Sequence, residues 1–324
     1  MTTASATFTP LIEDDLNRLE ARLLEVVPLV EHPTIGERLA ALIKAGGKRL
    51  RPSLTFYAAR IYGADPDRTL SVAAGIELLH TATLVHDDLV DNAQERRGTP
   101  TLNSVFPMGL VVLSGDLLFA EAARLVAEAE HVGVVRSFAR ALSEICHGEI
   151  LQAQSKHTLV SVEAYYRRIY GKTGSLFRTA AETGAMLGTE DPTQIEALGE
   201  YGRLLGMAFQ IVDDTLDFAS DGERLGKPVG HDLRQGVISL PVLLYHAKGM
   251  PSNGTLRHVI AGRASEAQVL KTIEAIRASG AIDESLQQAR AFARQANAAL
   301  QPIPEGPARD ALTDLAHFVV TRDH

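Results

Sequence analysis

The chain has 324 residues, a formal net charge of −8 and 45% apolar residues, a globular composition with apolar mass for one large core or two modest ones. The acidic balance argues against a nucleic-acid partner, which needs a positive field along the phosphate backbone, although a local basic patch can still hold a small phosphate. The single cysteine, Cys146, allows no intrachain disulfide, which fits a reducing compartment, and its helical surroundings make it a small core residue.

Residues Met1 to Pro10 lack a basic segment followed by an apolar one, so no signal peptide is expected. No stretch reaches about 18 uncharged apolar residues, so no spanning helix is expected either. A cytoplasmic location follows as the expectation, and peripheral membrane contact remains compatible with it.

Ala, Leu, Arg and Glu dominate, apolar residues recur at three- and four-residue spacing, and alternating strand patterns are missing. In chain order, Gly46-Gly47 permits a tight turn just before a helix. Asp65 is a good N-cap with Pro66 in the first turn. The segment Ser71 to Val85 is apolar or small on nearly all faces, which marks a helix buried all round, and it runs directly into His86-Asp87-Asp88. Lys172-Thr173-Gly174 interrupts a helical run. Asp191-Pro192 repeats the cap signature, and Leu204 to Val212 repeats the buried run before Asp213-Asp214. Gly222 to Gly236 is a polar loop carrying Lys227-Pro228, and Met250 to Gly254 and Gln301 to Pro307 are shorter breaks. Ser265 to Gln268 forms a capping box, and Gly280 is a helix stop. No break has the length or composition of a tether, so residues 1–324 are expected to form one all-α domain.

Asp87 and Asp91 are four residues apart, as are Asp213 and Asp217, so each pair shares one helix face. Like charges at that spacing repel, and desolvation beside a buried stretch raises the cost. A cation should neutralise them. Carboxylate-only clusters suit hard ions, and magnesium typically joins one or two carboxylates to substrate phosphates. One such cluster reads most simply as a solvated face or a cap; two copies with the same spacing, each after a buried run, point to metal. Asp88 and Asp214 point elsewhere on their helices and are the weaker metal candidates.

Basic residues gather around the same stretches. Lys48 and Arg51 are three apart beside a helix start, where backbone N–H groups and guanidinium both favour phosphate. Arg96-Arg97-Gly98 follows the first cluster and serves either as its counter-charge or as the far wall of a diphosphate site. His80 lies seven residues before Asp87, on roughly the same helix face. A lone helical histidine is usually packed core; this neighbourhood turns the reading towards phosphate.

Together these stretches resemble the trans-isoprenyl diphosphate synthases, the polyprenyl synthetase family. The likeness rests on Gly46 to Pro52, His80 to Asp91, Arg96 to Thr101, Gly115-Asp116, Lys172 to Gly174, Phe209 to Asp217 and Gly226-Lys227. The resemblance implies an isoprenoid-synthase helical bundle around a central cavity. It implies that Asp87, Asp91, Asp213 and Asp217, in a wider set with Asp88 and Asp214, bind magnesium, three ions when substrate is present. It implies that Arg96, Lys172 and Lys227 hold an allylic diphosphate, that Lys48, Arg51, His80 and Arg97 hold isopentenyl diphosphate, and that Thr173 and Gln210 lie near the allylic cation. It also implies a homodimer formed by central helices. Many members carry a lysine where this chain has Val237, so no role passes to that position.

A growing product is expected to run beside the first acidic helix, whose turns rise about 5.4 Å each, on the order of one isoprene unit. Ala82 and Thr83, one turn before Asp87, look open; Leu78 and Leu79 narrow the next turn, and Gly75 follows. The expectation is a geranylgeranyl or longer product. The alternatives are a farnesyl-type synthase, a class I terpene cyclase and a non-catalytic partner subunit. The intact second acidic cluster and basic motifs disfavour the last two.

Overall fold

The computed structural model describes residues 10–96, 98–219, 229–249 and 253–321. Helices follow one another along almost all of it. The exception is a hairpin of two-residue strands, β1 (Glu95–Arg96) and β2 (Thr99–Pro100), with Arg96 opposite Thr99 and Gly98 at φ +73° in the turn. Strands this short leave no alternation to read in a sequence.

Backbone contacts divide the chain into two compact units. One comprises Met1–Leu142, Thr179–Gly199 and Pro302–Leu312; the other comprises Ser143–Arg178, Glu200–Gln301 and Thr313–His324. The unit boundaries fall inside helices α6 (Val132–Ser155), α8 (Ser175–Met186), α9 (Pro192–Ala219) and α15 (Pro307–Thr321), and once in the loop between Gln301 and Pro302.

The first unit holds α1 (Glu13–Leu24), α2 (Pro33–Lys44), α3 (Leu50–Ile61), α4 (Pro66–Val90) and α5 (Met108–Ala127). α4 starts as its sequence predicts. The Asp65 carboxylate accepts from the N–H groups of Asp67 and Arg68, both at 2.9 Å, and Pro66 occupies the first turn. Losing such a cap costs about 1 kcal/mol. Residues 71–79, 81, 82 and 85 of α4 are buried, as the all-round apolar pattern requires. α5 approaches α4 closely because Gly75 has no side chain: a Cβ there would stand 2.6 Å from Val126 Cγ2 and 2.8 Å from the Ala122 carbonyl.

The second unit holds α7 (Val162–Ile169), a π-helical turn at Tyr170–Gly174, and the part of α9 from Glu200 onward. α10 (His231–Arg234), α11 (Leu240–Ala247), α12 (Asn253–Ile260), α13 (Glu266–Ala278) and α14 (Ala281–Ala299) complete it. Its core includes Tyr165, Ile211, Phe218, Ile238 and Tyr245. The capping box at Ser265 and Gln268 forms, and Gly280 adopts the left-handed conformation after α13. Cys146 corrects the sequence reading: it lies on the exposed face of α6, one position after the buried Ile145. Among the described residues no helix is long and apolar enough to cross a membrane.

Candidate active site

α4 ends at Val90, which places Asp87 in its last turn and Asp91 at its C-cap. Asp87 is half-buried and Asp91 exposed. The second pair repeats this arrangement: Asp213 and Asp217 are half-buried and stand in the last two turns of α9. A helix C-terminus carries partial negative charge, so a carboxylate pair there suffers both mutual repulsion and the dipole. Each helix end is therefore suited to a cation. Among the described residues no three His, Cys, Asp or Glu side chains converge into a ready metal cage. A magnesium ion would draw its remaining ligands from substrate phosphate and water, as it commonly does at one or two carboxylates.

The middle residues of the two clusters face inward. Asp88 is buried and accepts from Arg96 Nε at 2.8 Å. The hairpin carries Arg96 back to the end of α4, where the arginine is the counter-charge of Asp88. Asp214 is buried and holds two partners, the Tyr165 hydroxyl on Oδ2 at 2.7 Å and Gln210 Nε2 on Oδ1 at 2.7 Å. Burial and then nearby Asp232 push the Asp214 carboxyl up to about 7, against the pull of these hydrogen bonds and of Arg168. Asp217 accepts the N–H groups of His231 and Asp232, each at 3.1 Å, which ties the end of α9 to α10.

His86 packs its ring edge-on to Phe119, and its Nε2 donates to the Val112 carbonyl at 3.1 Å. Gly115 makes room for that ring, since a Cβ there would meet Nε2 at 2.2 Å. The Gly115 motif thus fixes α5 against the C-terminal end of α4.

The basic motif before α3 divides into different tasks. Lys48 is exposed, and Arg51 lies in the first turn of α3, which packs against the helix carrying half-buried His80. Arg49, given no role in the sequence reading, is a clasp. Its backbone is left-handed at φ +47°, and its guanidinium reaches Glu20 at 2.6 Å, Glu77 at 2.7 Å and the Ile43 carbonyl at 2.6 Å. Burial opposes its charge, but Glu77 and Glu20 together hold its pKa above the ordinary value. The clasp fixes the loop that presents Lys48. Arg38 was also missed: it donates to the Pro100 carbonyl at 3.2 Å and shares a cleft with Val85, Asp88 and Arg96. Its spacing from the motifs carries no signal.

Lys172 and Thr173 lie in the π-helical turn. Such single turns within helices recur at functional sites, and here the turn is what the sequence showed as an interrupted run. Lys172 Nζ pairs with Glu149 Oε1 at 2.7 Å. α6 passes close enough for this because Gly148 and Gly171 meet: a Cβ on Gly148 would stand 2.6 Å from the Lys172 nitrogen. α9 reaches the turn through a stripe of glycines. A Cβ on Gly202 would lie 2.4 Å from the Phe177 carbonyl, and one on Gly206 would lie 2.8 Å from Gly174 Cα. Gln210 and Asp214 continue the stripe at four-residue intervals. Buried Thr173 therefore donates to Gln210 Oε1 at 2.7 Å. Gly206→Ala should separate α9 from the turn, costing about 1–3 kcal/mol as overpacking does; thermal unfolding and steady-state rates should fall together.

Of the product-length residues, Ala82, Leu78 and Leu79 are fully buried, and Thr83 is half-buried with its hydroxyl donating to the His80 carbonyl at 2.7 Å. At Gly75, α5 fills the space that the missing side chain leaves. Arg97 and Lys227 lie outside the described residues, as do residues 220–228 of the polar loop and Met250 to Ser252.

The polyprenyl synthetase family model matches residues 32–276, more than half of the chain. The chain belongs to the polyprenyl synthetase family. It is a prenyltransferase, and its all-α structure is the isoprenoid-synthase fold. It is 38% identical over 284 residues to an octaprenyl diphosphate synthase of Escherichia coli (strain K12), covering 87% of this chain and 88% of that one. It is 35% identical over 310 residues to a short chain isoprenyl diphosphate synthase of Methanothermobacter thermautotrophicus, covering 94% and 95%. A polyprenyl synthase of Caulobacter crescentus CB15, crystallised with calcium and isoprenyl diphosphate, matches with a TM-score of 0.92 at 39% identity over 98% of both chains.

Proposed function

We propose that this polyprenyl synthetase condenses isopentenyl diphosphate with an allylic diphosphate, head to tail and in trans, and releases diphosphate. The observation that carries the reading is the end of α4, where Asp87 and Asp91 close the helix on either side of Asp88, whose carboxylate holds the Arg96 guanidinium. Magnesium held by Asp87 and Asp91, and by Asp213 and Asp217, would neutralise diphosphate and promote its departure. Asp88 and Asp214 support the clusters from within the protein. Arg96, Lys172 and Lys227 bind the departing diphosphate, and Lys48, Arg51, His80 and Arg97 bind isopentenyl diphosphate. The Thr173 hydroxyl oxygen and the Gln210 carbonyl oxygen turn negative dipole ends towards the allylic cation. The double bond of isopentenyl diphosphate attacks that cation, and a proton is lost to the released diphosphate.

The chain works in this reading as one cytoplasmic, all-helical domain over residues 1–324. A second copy covers the exposed apolar side chains of α5, Met108 and Leu113, which are 69% and 64% exposed. The product is geranylgeranyl diphosphate or longer. Support comes from the small residue at Ala82; the two relatives named above span short and octaprenyl products and do not choose between them.

The test incubates purified protein with isopentenyl diphosphate, magnesium and each allylic primer, and sizes the products. Elongation beyond farnesyl is expected, and Ala82→Phe should shift the distribution to shorter chains by at least one unit. Absence of elongation with every primer would remove the proposal; an unchanged distribution in Ala82→Phe would remove only the product-length assignment.

A further inference from the structure

Tyr165 sits at the far end of a hydrogen-bonded chain that ends on the residues proposed to face the cation. Its side chain is fully buried, and its hydroxyl donates to Asp214 Oδ2 at 2.7 Å. Asp214 Oδ1 accepts Gln210 Nε2 at 2.7 Å, and Gln210 Oε1 accepts the Thr173 hydroxyl at 2.7 Å. The Arg168 guanidinium lies over the Tyr165 ring, 5.4 Å from its centroid, and is anchored by the Ile238 carbonyl at 2.7 Å. The phenol is thus held in place from its other side.

With Asp214 ionised, the direction of the chain is dictated by its members. A phenol paired with a carboxylate must donate, so one carboxylate oxygen is committed to Tyr165. The other then accepts, and only the amide nitrogen of Gln210 can donate to it. That fixes the amide orientation and presents its carbonyl oxygen to Thr173. Thr173 must in turn donate, which leaves the lone pairs of its hydroxyl oxygen pointing away from Gln210. A threonine hydroxyl and a glutamine amide would otherwise each choose between two orientations. Donor and acceptor would exchange, and a hydroxyl or amide proton could face a developing positive charge.

We propose that Tyr165 is a positioning residue for prenyl transfer, acting through Asp214 to fix the orientation of Gln210 and Thr173. This rests on the reading that Thr173 and Gln210 stabilise the allylic cation. Because the effect is on orientation and not on substrate contact, it should appear in turnover and not in binding.

The experiment measures kcat, KM for both diphosphates and thermal stability for the full chain, Tyr165→Phe, Thr173→Ala and the double variant. Tyr165→Phe should lower kcat on the order of tenfold with both KM values unchanged. In the Thr173→Ala background the same change should have little further effect, because residues acting as a unit are not additive. If Thr173→Ala alone leaves kcat intact, the cation-stabilising reading falls, and this proposal with it. If Thr173→Ala is impaired but Tyr165→Phe is silent, raises KM instead, or multiplies independently in the double variant, the positioning role alone is overturned. Should Tyr165→Phe not fold, 4-fluorophenylalanine at position 165 fills the hydroxyl volume without donating, and the same outcomes apply.

Discussion

Asp87→Asn should lower kcat by on the order of 10²–10³, the loss seen when one preorganised electrostatic contact to a developing charge is removed. Asparagine keeps the size and one oxygen of the side chain but not its charge, and Asp87 is only half-buried in the last turn of α4. The fold should therefore survive, and the unfolding temperature should be unchanged or slightly raised, since one of two repelling charges at a helix C-terminus is gone. The magnesium concentration for half-maximal rate should rise. Asp213→Asn should behave alike. Chelation of divalent metal should abolish elongation in the wild-type chain, and added magnesium should restore it. A variant with normal turnover and normal magnesium dependence would mean that the acidic pairs serve only the fold.

Arg49→Ala should have the opposite profile, a large loss of stability. Arg49 and Glu77 are 10% and 6% exposed in their side chains, and removing the arginine leaves a buried carboxylate without its partner. Breaking a buried pair in this way costs about 3–5 kcal/mol. Chemical denaturation is the direct measurement. Replacing both residues together, as Arg49→Met with Glu77→Leu, should cost less than Arg49→Ala alone, because no charge is then stranded. If both versions lose the same stability, the loss belongs to the left-handed backbone at residue 49 or to the Glu20 and Ile43 contacts. The motif Gly46 to Pro52 would then mix two functions in adjacent residues. Lys48 and Arg51 would serve ligand, and Arg49 would serve the loop that carries them.

The contrast between Asp87 and Asp88 shows how far a sequence reading can reach. Helical spacing separates the two faces, and it correctly placed Asp88 and Asp214 off the shared face of each pair. It could not say what meets that second face. Arg96 returns to Asp88 through a hairpin whose strands are too short to leave a pattern. Tyr165 reaches Asp214 from 49 residues away, across a buried core that no local period encodes. Cys146 failed for a related reason: a small apolar residue in a helical run gives no phase of its own, and the buried positions of α6 lie beside it at Ile145 and Gly148.

What the sequence by itself determined is what local chemistry can specify. The helix starts at Asp65, Asp191 and Ser265 follow from caps that satisfy backbone N–H groups within three residues. The buried runs before Asp87 and Asp213 follow from composition, and the acidic pairs follow from a four-residue period. Only the tertiary structure decided how close the helices come. Gly202 and Gly206 read in the sequence as weak points in a helix, and folded they are where α9 touches the π-helical turn and brings Gln210 to Thr173. A glycine's value there is the absence of a side chain at a contact. That absence has meaning only once the opposing backbone is in place.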